Sequence, residues 1–218
     1  ELINGNGKIK EYVCGHLMFE GEYLDGKRYG KGKEYDYDGH LIFEGDFLNG
    51  KRHGKGKEYD YDGHLMFEGD YLNGKKWIGK IKIYNYYLDD INYYNNKPLI
   101  FEGKYINGEI NGNVKVYDSN EHLIFEGEYL KGTRHGKGKQ YDYYGHLKFE
   151  GEYLNGKRYG KVKQYDYDGH LIFEGDYLND QKNGKGTEYN YNGNISFEGD
   201  YLNGQKNGKG KEYDNNGN

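Results

Sequence analysis

The chain has 218 residues, among them 37 Gly, 28 Tyr, one Cys, one Pro and no Ala, and its formal net charge is −5. Abundant glycine and missing alanine argue against an α-helical protein, because they are a poor and the best ordinary helix former. A single cysteine excludes an internal disulfide framework. No apolar run exceeds three residues, which excludes a transmembrane helix.

The tripeptide Phe-Glu-Gly is repeated along the chain. Each copy is followed by an aromatic residue four positions after its Phe, and the copies lie 24 residues apart except for one interval of 34. They begin at Phe19, Phe43, Phe67, Phe101, Phe125, Phe149, Phe173 and Phe197. A fixed period of this length predicts a stack of identical units. We therefore expect residues 1–218 to form a single array of about eight 24-residue repeats, preceded by a half-repeat at 7–12.

Each unit is predicted to be one β-hairpin. In the second unit, residues 40–48 alternate, which is typical of a half-buried strand. Asn49-Gly50 is a strong hairpin-turn dipeptide, and residues 54–60 are expected to form a second short strand. Eight hairpins and the half-unit give 8 × 2 + 1 = 17 strands. The predicted fold class is all-β: an elongated, single-layer antiparallel sheet of stacked hairpins that forms a solenoid-like ribbon.

The two-residue period of a strand sorts the side chains onto two faces. Phe43 shares a face with Gly54 and Gly56, and we expect its ring to cover their bare backbone. In three units the second of these glycines is replaced, by Ile81, Val114 and Val162. The first glycine is therefore expected to be the more constrained. On the opposite face, cross-strand pairs of Lys with Glu or Asp are expected to stabilise the sheet by roughly a few tenths of a kcal/mol each.

The third unit is irregular. It contains the only Trp and the only Pro, with one extra residue near Trp77 and about nine more within 85–98. We interpret residues 76–98 as a loop or bulge inserted between two strands, since repeat arrays tolerate insertions on one face. Because this segment distinguishes one place in the array from the others, it is the expected position of a specific contact.

The run Phe-Glu-Gly-Asp-Phe-Leu-Asn-Gly-Lys-Arg-His-Gly-Lys-Gly at 43–56 resembles the MORN (membrane occupation and recognition nexus) repeat. The run at 59–69 also resembles the bacterial antitoxin-type variant of that repeat. The resemblance implies stacked hairpins with a groove along them. It further implies a scaffold or protein-binding module, and an association with phospholipids or the cytoskeleton as in some members of the family.

No catalytic centre, cofactor or metal site is expected, because every candidate is repeated. Six histidines stand three residues before a Phe: His16, His40, His64, His122, His146 and His170. Equivalent residues of consecutive hairpins lie two strands, about 9–10 Å, apart, whereas zinc ligands lie about 2.0–2.3 Å from one ion. We interpret these histidines as polar residues beside turns. The protein is accordingly predicted not to be an enzyme.

Two sets of residues are predicted to contact partners. The first, the aromatic set, would line a groove that binds a protein partner: Phe43, Phe47, Phe67, Tyr71, Trp77, Phe101, Tyr105, Phe125 and Tyr129. The second, the basic rim of one row of hairpin turns, would bind anionic lipid: Lys27, Arg28, Lys51, Arg52, Lys75, Lys76, Arg134, Lys157 and Arg158. Near an anionic surface each of these cations would contribute about 1 kcal/mol.

The predicted function is a non-catalytic scaffold that mediates protein–protein interaction or self-association through the groove and the sheet ends. Two alternatives stay open: peripheral binding to phospholipid through the basic rim, and a role as the targeting segment of a larger enzyme. Nucleic acid is not expected as a partner, because the pI is 5.9 and nucleic-acid-binding domains are usually basic. The single cysteine suits a reducing compartment, so we expect the cytoplasm, at the periphery of a membrane or the cytoskeleton in the alternatives.

Overall fold

The computed structural model describes residues 5–84 and 99–214, which form 17 β-strands and contain no helix. Within these residues, no helix is long and apolar enough to span a membrane. The chain divides into two compact units, Glu1–Ile110 and Asn111–Asn218. Residues 85–98, where most of the predicted insertion falls, lie outside the described residues. The predicted all-β, antiparallel sheet of consecutive hairpins is confirmed.

In the first unit each strand pairs antiparallel with the next one in the sequence. The strands are β1 (Gly7–Val13), β2 (His16–Leu24), β3 (Lys27–Tyr35), β4 (Leu41–Leu48), β5 (Lys51–Tyr59), β6 (Leu65–Leu72), β7 (Lys75–Tyr84) and β8 (Leu99–Ile106). The hairpin pattern therefore follows directly from the order of the repeats.

The second unit has the same hairpin organisation. Its first strand begins at Glu109, just before the first residue of the unit, Asn111. The strands are β9 (Glu109–Tyr117), β10 (Leu123–Leu130), β11 (Thr133–Tyr141), β12 (Leu147–Leu154), β13 (Lys157–Tyr165), β14 (Leu171–Leu178), β15 (Gln181–Tyr189), β16 (Ile195–Leu202) and β17 (Gln205–Glu212). Each Phe-Glu-Gly triplet lies on the first strand of its hairpin, as predicted.

The turn within each hairpin is tight. Asn49 and Gly50 have φ angles of 52° and 81°, and two consecutive positive φ values are the mark of a type I′ turn. The second strand begins at Lys51, three residues earlier than predicted, because Lys51 and Arg52 already pair with Leu48 and Phe47. The predicted Asn-Gly turn is thus confirmed, and the strand that follows it is longer than the sequence suggested.

A bulge interrupts each regular hairpin. Gly45 pairs with Gly56 and Phe47 pairs with Arg52, so three residues of β5 lie opposite Asp46 alone. Gly54, in the middle of the three, has a φ of 72°. Only glycine adopts this region without a steric penalty from Cβ. The prediction that the first glycine is the more constrained is confirmed, and its cause is backbone conformation.

Strand β7 pairs with its two neighbours, β6 and β8, in different registers. Gly79 pairs with Gly69 of β6, whereas Ile81 pairs with Gly103 of β8. In the regular strand β5, one residue, Gly56, faces the glycines of both neighbours. The prediction of one extra residue near Trp77 is therefore wrong, because the bulge beside Trp77 is one residue shorter than the bulge of a regular hairpin. The irregularity is instead a register shift: the residues of β7 that face the glycines of β6 and β8 are two positions apart.

The buried core consists mainly of phenylalanine rings on one face of the sheet, with several tyrosines and two valines among the described residues. In the first unit Phe19, Phe43 and Phe67 are completely buried. A Cβ atom added to Gly56 would lie 2.6 Å from ring atoms of Phe43. The ring therefore occupies the space that a side chain at Gly56 would fill, which confirms the predicted contact and explains how one sheet layer buries a large side chain.

Candidate interaction surfaces

The aromatic rings of the first unit form a continuous edge-to-face chain. The ring centroid of Phe43 lies 5.5 Å from that of Phe47 and 5.0 Å from that of Tyr71, with interplanar angles of 89° and 82°. Phe67 continues the chain by contacting Tyr71 in the same way. Edge-to-face pairs at these distances are favourable because the ring edge is positive and the ring face negative.

A layer of charged residues covers these rings. The guanidinium carbon of Arg52 lies 4.2 Å from the centroid of Phe43. Arg52 also forms ion pairs with Glu34 at 2.6 Å and with Glu58 at 3.1 Å. Arg28 repeats the arrangement over Phe19. The face that carries the Phe rings is therefore closed by Arg–Glu chains that join neighbouring hairpins.

The ion pair between Arg28 and Glu11 shifts the pKa values of both members. The hydrogen bonds from Arg28 hold the pKa of Glu11 below its usual range, although partial burial opposes the shift. In return, the carboxylate of Glu11 raises the pKa of Arg28. Both shifts favour the charged forms, so the Arg28–Glu11 pair is charged at neutral pH.

The aromatic set is divided by burial. Trp77 is exposed, and Tyr105 and Tyr129 are half-buried. The other members are buried in the core: Phe43, Phe47, Phe67, Tyr71, Phe101 and Phe125. Their role in partner binding stays a prediction. In the structure, the members that a partner reaches without displacing the Arg–Glu layer are Trp77 and the half-buried tyrosines.

The basic rim is divided in a similar way. Its exposed members lie at the hairpin turns: Lys27, Lys51, Lys75 and Lys157. Its remaining members lie over phenylalanine rings: Arg28, Arg52, Lys76, Arg134 and Arg158. The sequence spacing placed both groups at one row of turns. Each member of the second group, however, pairs across its hairpin with an aromatic residue, as Arg52 does with Phe47, and so lies on the face of the rings.

The opposite face of the first unit contains a groove of about 1320 Å³. Backbone of glycines such as Gly45 and Gly56 forms its floor, and Lys and Glu side chains form its walls. Lys57 lies 3.7 Å from Glu68 across neighbouring strands. The predicted cross-strand acid–base neighbours are thereby confirmed. Among the described residues that line this groove there is no member of the aromatic set.

Tyrosine hydroxyls hold one side of this charged face in place. Tyr59 Oη donates a hydrogen bond of 2.8 Å to Glu44. Burial and the nearby carboxylate raise the pKa of Tyr59 to about 12. The same pair recurs as Tyr35 with Glu20. The sequence signal for this contact was present, since a Tyr lies sixteen residues after the Phe of every Phe-Glu-Gly triplet except the third. Spacing alone did not pair it with the glutamate.

The turns between hairpins have a fixed Asp–His geometry. One carboxylate oxygen of Asp60 accepts backbone hydrogen bonds from Asp62 and His64, at 2.9 and 2.8 Å. The other oxygen lies 2.9 Å from His64 Nδ1. In the equivalent turn, hydrogen bonds from His40 lower the pKa of Asp36 although partial burial opposes them, and Asp36 raises the pKa of His40.

Three of these turns bring two carboxylates and an imidazole within 4.8 Å of one another: Asp36, Asp38 and His40; Asp60, Asp62 and His64; Asp166, Asp168 and His170. These donor atoms are of a kind that binds divalent cations. The Asp-x-Asp-x-His spacing was visible in the sequence, where only the histidines were considered. In each cluster the first Asp already accepts a backbone hydrogen bond within its own turn. This structural role explains why these residues recur together in the turns without invoking a bound ion.

The MORN repeat model matches residues 19–41, 43–65, 125–143, 173–195 and 197–218, about half of the chain. The chain belongs to the MORN-repeat family. MORN repeats are a non-enzymatic type of repeat, and they generally form modules that interact with proteins or membranes.

No curated protein matches this MORN-repeat chain. Two solved structures resemble it distantly. The first, "Crystal Structure of TcdB2-TccC3", shares 13% sequence identity over 95% of this chain and 13% of that chain, with a TM-score of 0.28. The second, "Crystal Structure of TcdB2-TccC3-TEV", shares 11% identity over 88% of this chain and 13% of that chain, with a TM-score of 0.25. The chain thus spans about an eighth of the length of these proteins.

Proposed function

We propose that this MORN-repeat chain is a non-catalytic scaffold that holds an extended segment of a partner protein in the groove of its first unit. The observation that carries the proposal is the groove itself, about 1320 Å³ in volume, with glycine backbone as its floor and alternating cations and anions as its walls. A concave surface with a few fixed polar groups is the usual form of a binding site.

The groove selects for the charge pattern of its partner. Lys33 lies opposite both Glu20 and Glu44 in the strand register, and Lys57 lies opposite Glu44 and Glu68. A segment with alternating acidic and basic side chains would exchange these intramolecular pairs for intermolecular ones. Complementary charge of this kind contributes mainly to specificity and association rate.

In this proposal the aromatic set acts mainly beneath the groove. Phe43 and Phe67 fill the opposite side of the glycine floor, so they keep the floor flat without contacting the partner. Trp77 is the exposed member of the set, and its neighbour Ile78 belongs to the groove lining. It is therefore the aromatic residue best placed to contact a segment that extends beyond the groove.

To test the proposal, displayed peptides are selected for binding to the folded chain. The affinity of the selected peptides is then measured by fluorescence anisotropy. The groove variant Lys33→Gln/Lys57→Gln is compared with the turn variant Lys27→Gln/Lys51→Gln, which removes the same number of charges from the same two hairpins. We expect the groove variant to bind selected peptides at least several-fold more weakly and the turn variant to bind them unchanged. Equal loss in both variants would contradict the proposal.

A second candidate function, binding to anionic lipid, is favoured by one observation. Lys27, Lys51 and Lys75 are exposed in three successive hairpin turns of the first unit. Near an anionic bilayer each contributes about 1 kcal/mol. Sedimentation with phosphatidylserine-containing vesicles distinguishes the two functions, because lipid binding would be lost in the turn variant and kept in the groove variant.

A further inference from the structure

A row of exposed tyrosines follows the turns between the hairpins of the second unit. Tyr143, Tyr167 and Tyr191 occupy the same place in three successive turns, and 54%, 71% and 73% of their surfaces are exposed. Single exposed aromatic residues are common on protein surfaces, but here the 24-residue repeat places them at a regular spacing along one edge. None of these residues takes part in the groove proposed above, which lies in the first unit.

Carboxylates adjoin two of the three tyrosines, whereas Asn190 and Asn192 flank Tyr191. Asp166 and Asp168 flank Tyr167, and Asp142 precedes Tyr143. The fixed turn geometry keeps these carboxylates beside the rings, since Asp166 accepts the backbone hydrogen bonds of Asp168 and His170 at 2.9 Å each. Negative charge next to the negative faces of aromatic rings attracts cations.

One of these rings already holds a cation from the chain itself. The ammonium nitrogen of Lys148 lies 3.6 Å from the ring centroid of Tyr167. Lys148 is unusual at its position, because the equivalent residues of the neighbouring hairpins are Ile124 and Ile172. The contact shows that the exposed ring face accepts an ammonium group, and that the bound cation leaves most of Tyr167 open to solvent.

We propose that this tyrosine–aspartate edge binds an extended polypeptide segment that carries Arg or Lys at every third residue. Equivalent turns lie two strands apart, about 9–10 Å. A polyproline II helix rises about 3.1 Å per residue with three residues per turn, so one side chain in three recurs about every 9.3 Å on one side. Such a segment places successive cations over Tyr143, Tyr167 and Tyr191.

The experiment uses the full chain and a fluorescein-labelled peptide, (Pro-Pro-Arg)4, at low salt. A peptide of the same composition with its four arginines grouped at one end tests the spacing, and (Pro-Pro-Glu)4 tests the charge. We expect the spaced arginine peptide to bind most tightly and the glutamate peptide not to bind. Equal affinity for the spaced and the grouped arginine peptides would overturn the proposal.

Variants of Tyr167 test the role of its ring. Tyr167→Leu is expected to weaken binding about 2- to 5-fold, the effect of one exposed cation–π contact, whereas Tyr167→Phe keeps the ring and is expected to bind like the parent. Tyr159, an exposed tyrosine on β13, supplies the matched control, because Tyr159→Leu is expected to leave binding unchanged. An unchanged affinity of Tyr167→Leu would overturn the proposal.

Lys148 provides a gain-of-function test. Lys148→Ile restores the residue of the neighbouring hairpins and clears the face of Tyr167, so it is expected to strengthen binding about 2- to 5-fold. Lys163→Gln removes one positive charge from an exposed position of the next strand without touching the tyrosine row. If Lys148→Ile had no effect, or no larger effect than Lys163→Gln, the proposal would be wrong. Circular dichroism confirms that each variant is folded.

Discussion

The guanidinium of Arg52 lies 4.2 Å above the ring of Phe43 and joins Glu34 of one hairpin to Glu58 of the next. One side chain thus covers the core and links neighbouring repeats. We expect Arg52→Ala to lower the free energy of unfolding by about 1–2 kcal/mol, because it removes a cation–π contact and two charge-assisted hydrogen bonds.

Arg52→Lys is the matched control for this substitution. Lysine occupies the equivalent position as Lys182 and Lys206, whose ammonium groups lie 4.1 and 4.0 Å from their phenylalanine rings. We expect Arg52→Lys to cost clearly less than Arg52→Ala in urea unfolding followed by circular dichroism. Equal costs would show that the contact over the ring is not the stabilising feature.

The two glycines beneath Phe43 differ in what surrounds them. A Cβ atom on Gly45 would lie 2.5 Å from the carbonyl oxygen of Lys55, whereas one on Gly56 would first meet the ring of Phe43. Backbone moves less readily than a ring, and valine fills the position of Gly56 as Val162 in another hairpin. We expect Gly45→Ala to cost about 3 kcal/mol and Gly56→Ala about 1 kcal/mol, measured by urea unfolding. The reverse order would contradict this account.

Two buried tyrosines at equivalent positions differ in hydrogen bonding. Tyr71 Oη donates to Glu58 at 3.0 Å. Tyr153 Oη is buried and has no hydrogen-bond partner among the described residues, because Gln140 replaces the glutamate and its oxygen accepts from Arg158. We expect Tyr71→Phe to destabilise the chain by about 1–2 kcal/mol and Tyr153→Phe to change its stability by less than about 0.5 kcal/mol.

The Tyr71 and Tyr153 variants remove the same atom from the same kind of ring, so each is the control for the other. Thermal or urea unfolding of both under one condition provides the comparison. A large loss in Tyr153→Phe would reveal a hydrogen bond that the structure does not contain.

Alkaline pH is expected to weaken the sheet. Burial and a neighbouring glutamate raise the pKa to about 12 for a row of tyrosines: Tyr35, Tyr59, Tyr141, Tyr165 and Tyr189. A phenol whose pKa is higher in the folded than in the unfolded chain, where it is about 10, contributes stability that is complete below pH 10. That contribution is lost as the pH rises from about 10 through 12.

Urea unfolding at a series of pH values tests this expectation, and absorbance at 295 nm follows tyrosinate formation. Tyr59→Phe removes one group of the row and should reduce the loss of stability between pH 10 and 12. A loss of stability that is complete below pH 10 would contradict the raised pKa values.

Much of the fold follows from spacing that is visible in the sequence. Strand alternation separates Phe43 from Glu44, and Asn49-Gly50 fixes the turn because both residues tolerate positive φ. Both are local properties of the backbone, so they can be predicted without knowing which strands are neighbours. The contact between Phe43 and Gly56 required only the further assumption of a hairpin.

The candidate surfaces depend on contacts that the sequence leaves undetermined. Arg52 was assigned to an exposed rim, but it pairs with Phe47 across the hairpin and lies over Phe43 on the buried face. Its partner Glu34 lies 18 residues earlier, in a different hairpin. Such a contact depends on register, which is a property of paired strands.

The sequence by itself determined the repeat, its hairpins and the residues of the core, because period and turn chemistry act within a few residues. Only the tertiary structure decided which charges remain accessible. The registers of the strand pairs place some cations over rings and leave others, such as Lys51, in solvent. They also place the groove on the face opposite the aromatic rings, because the glycine floor needs those rings on its other side.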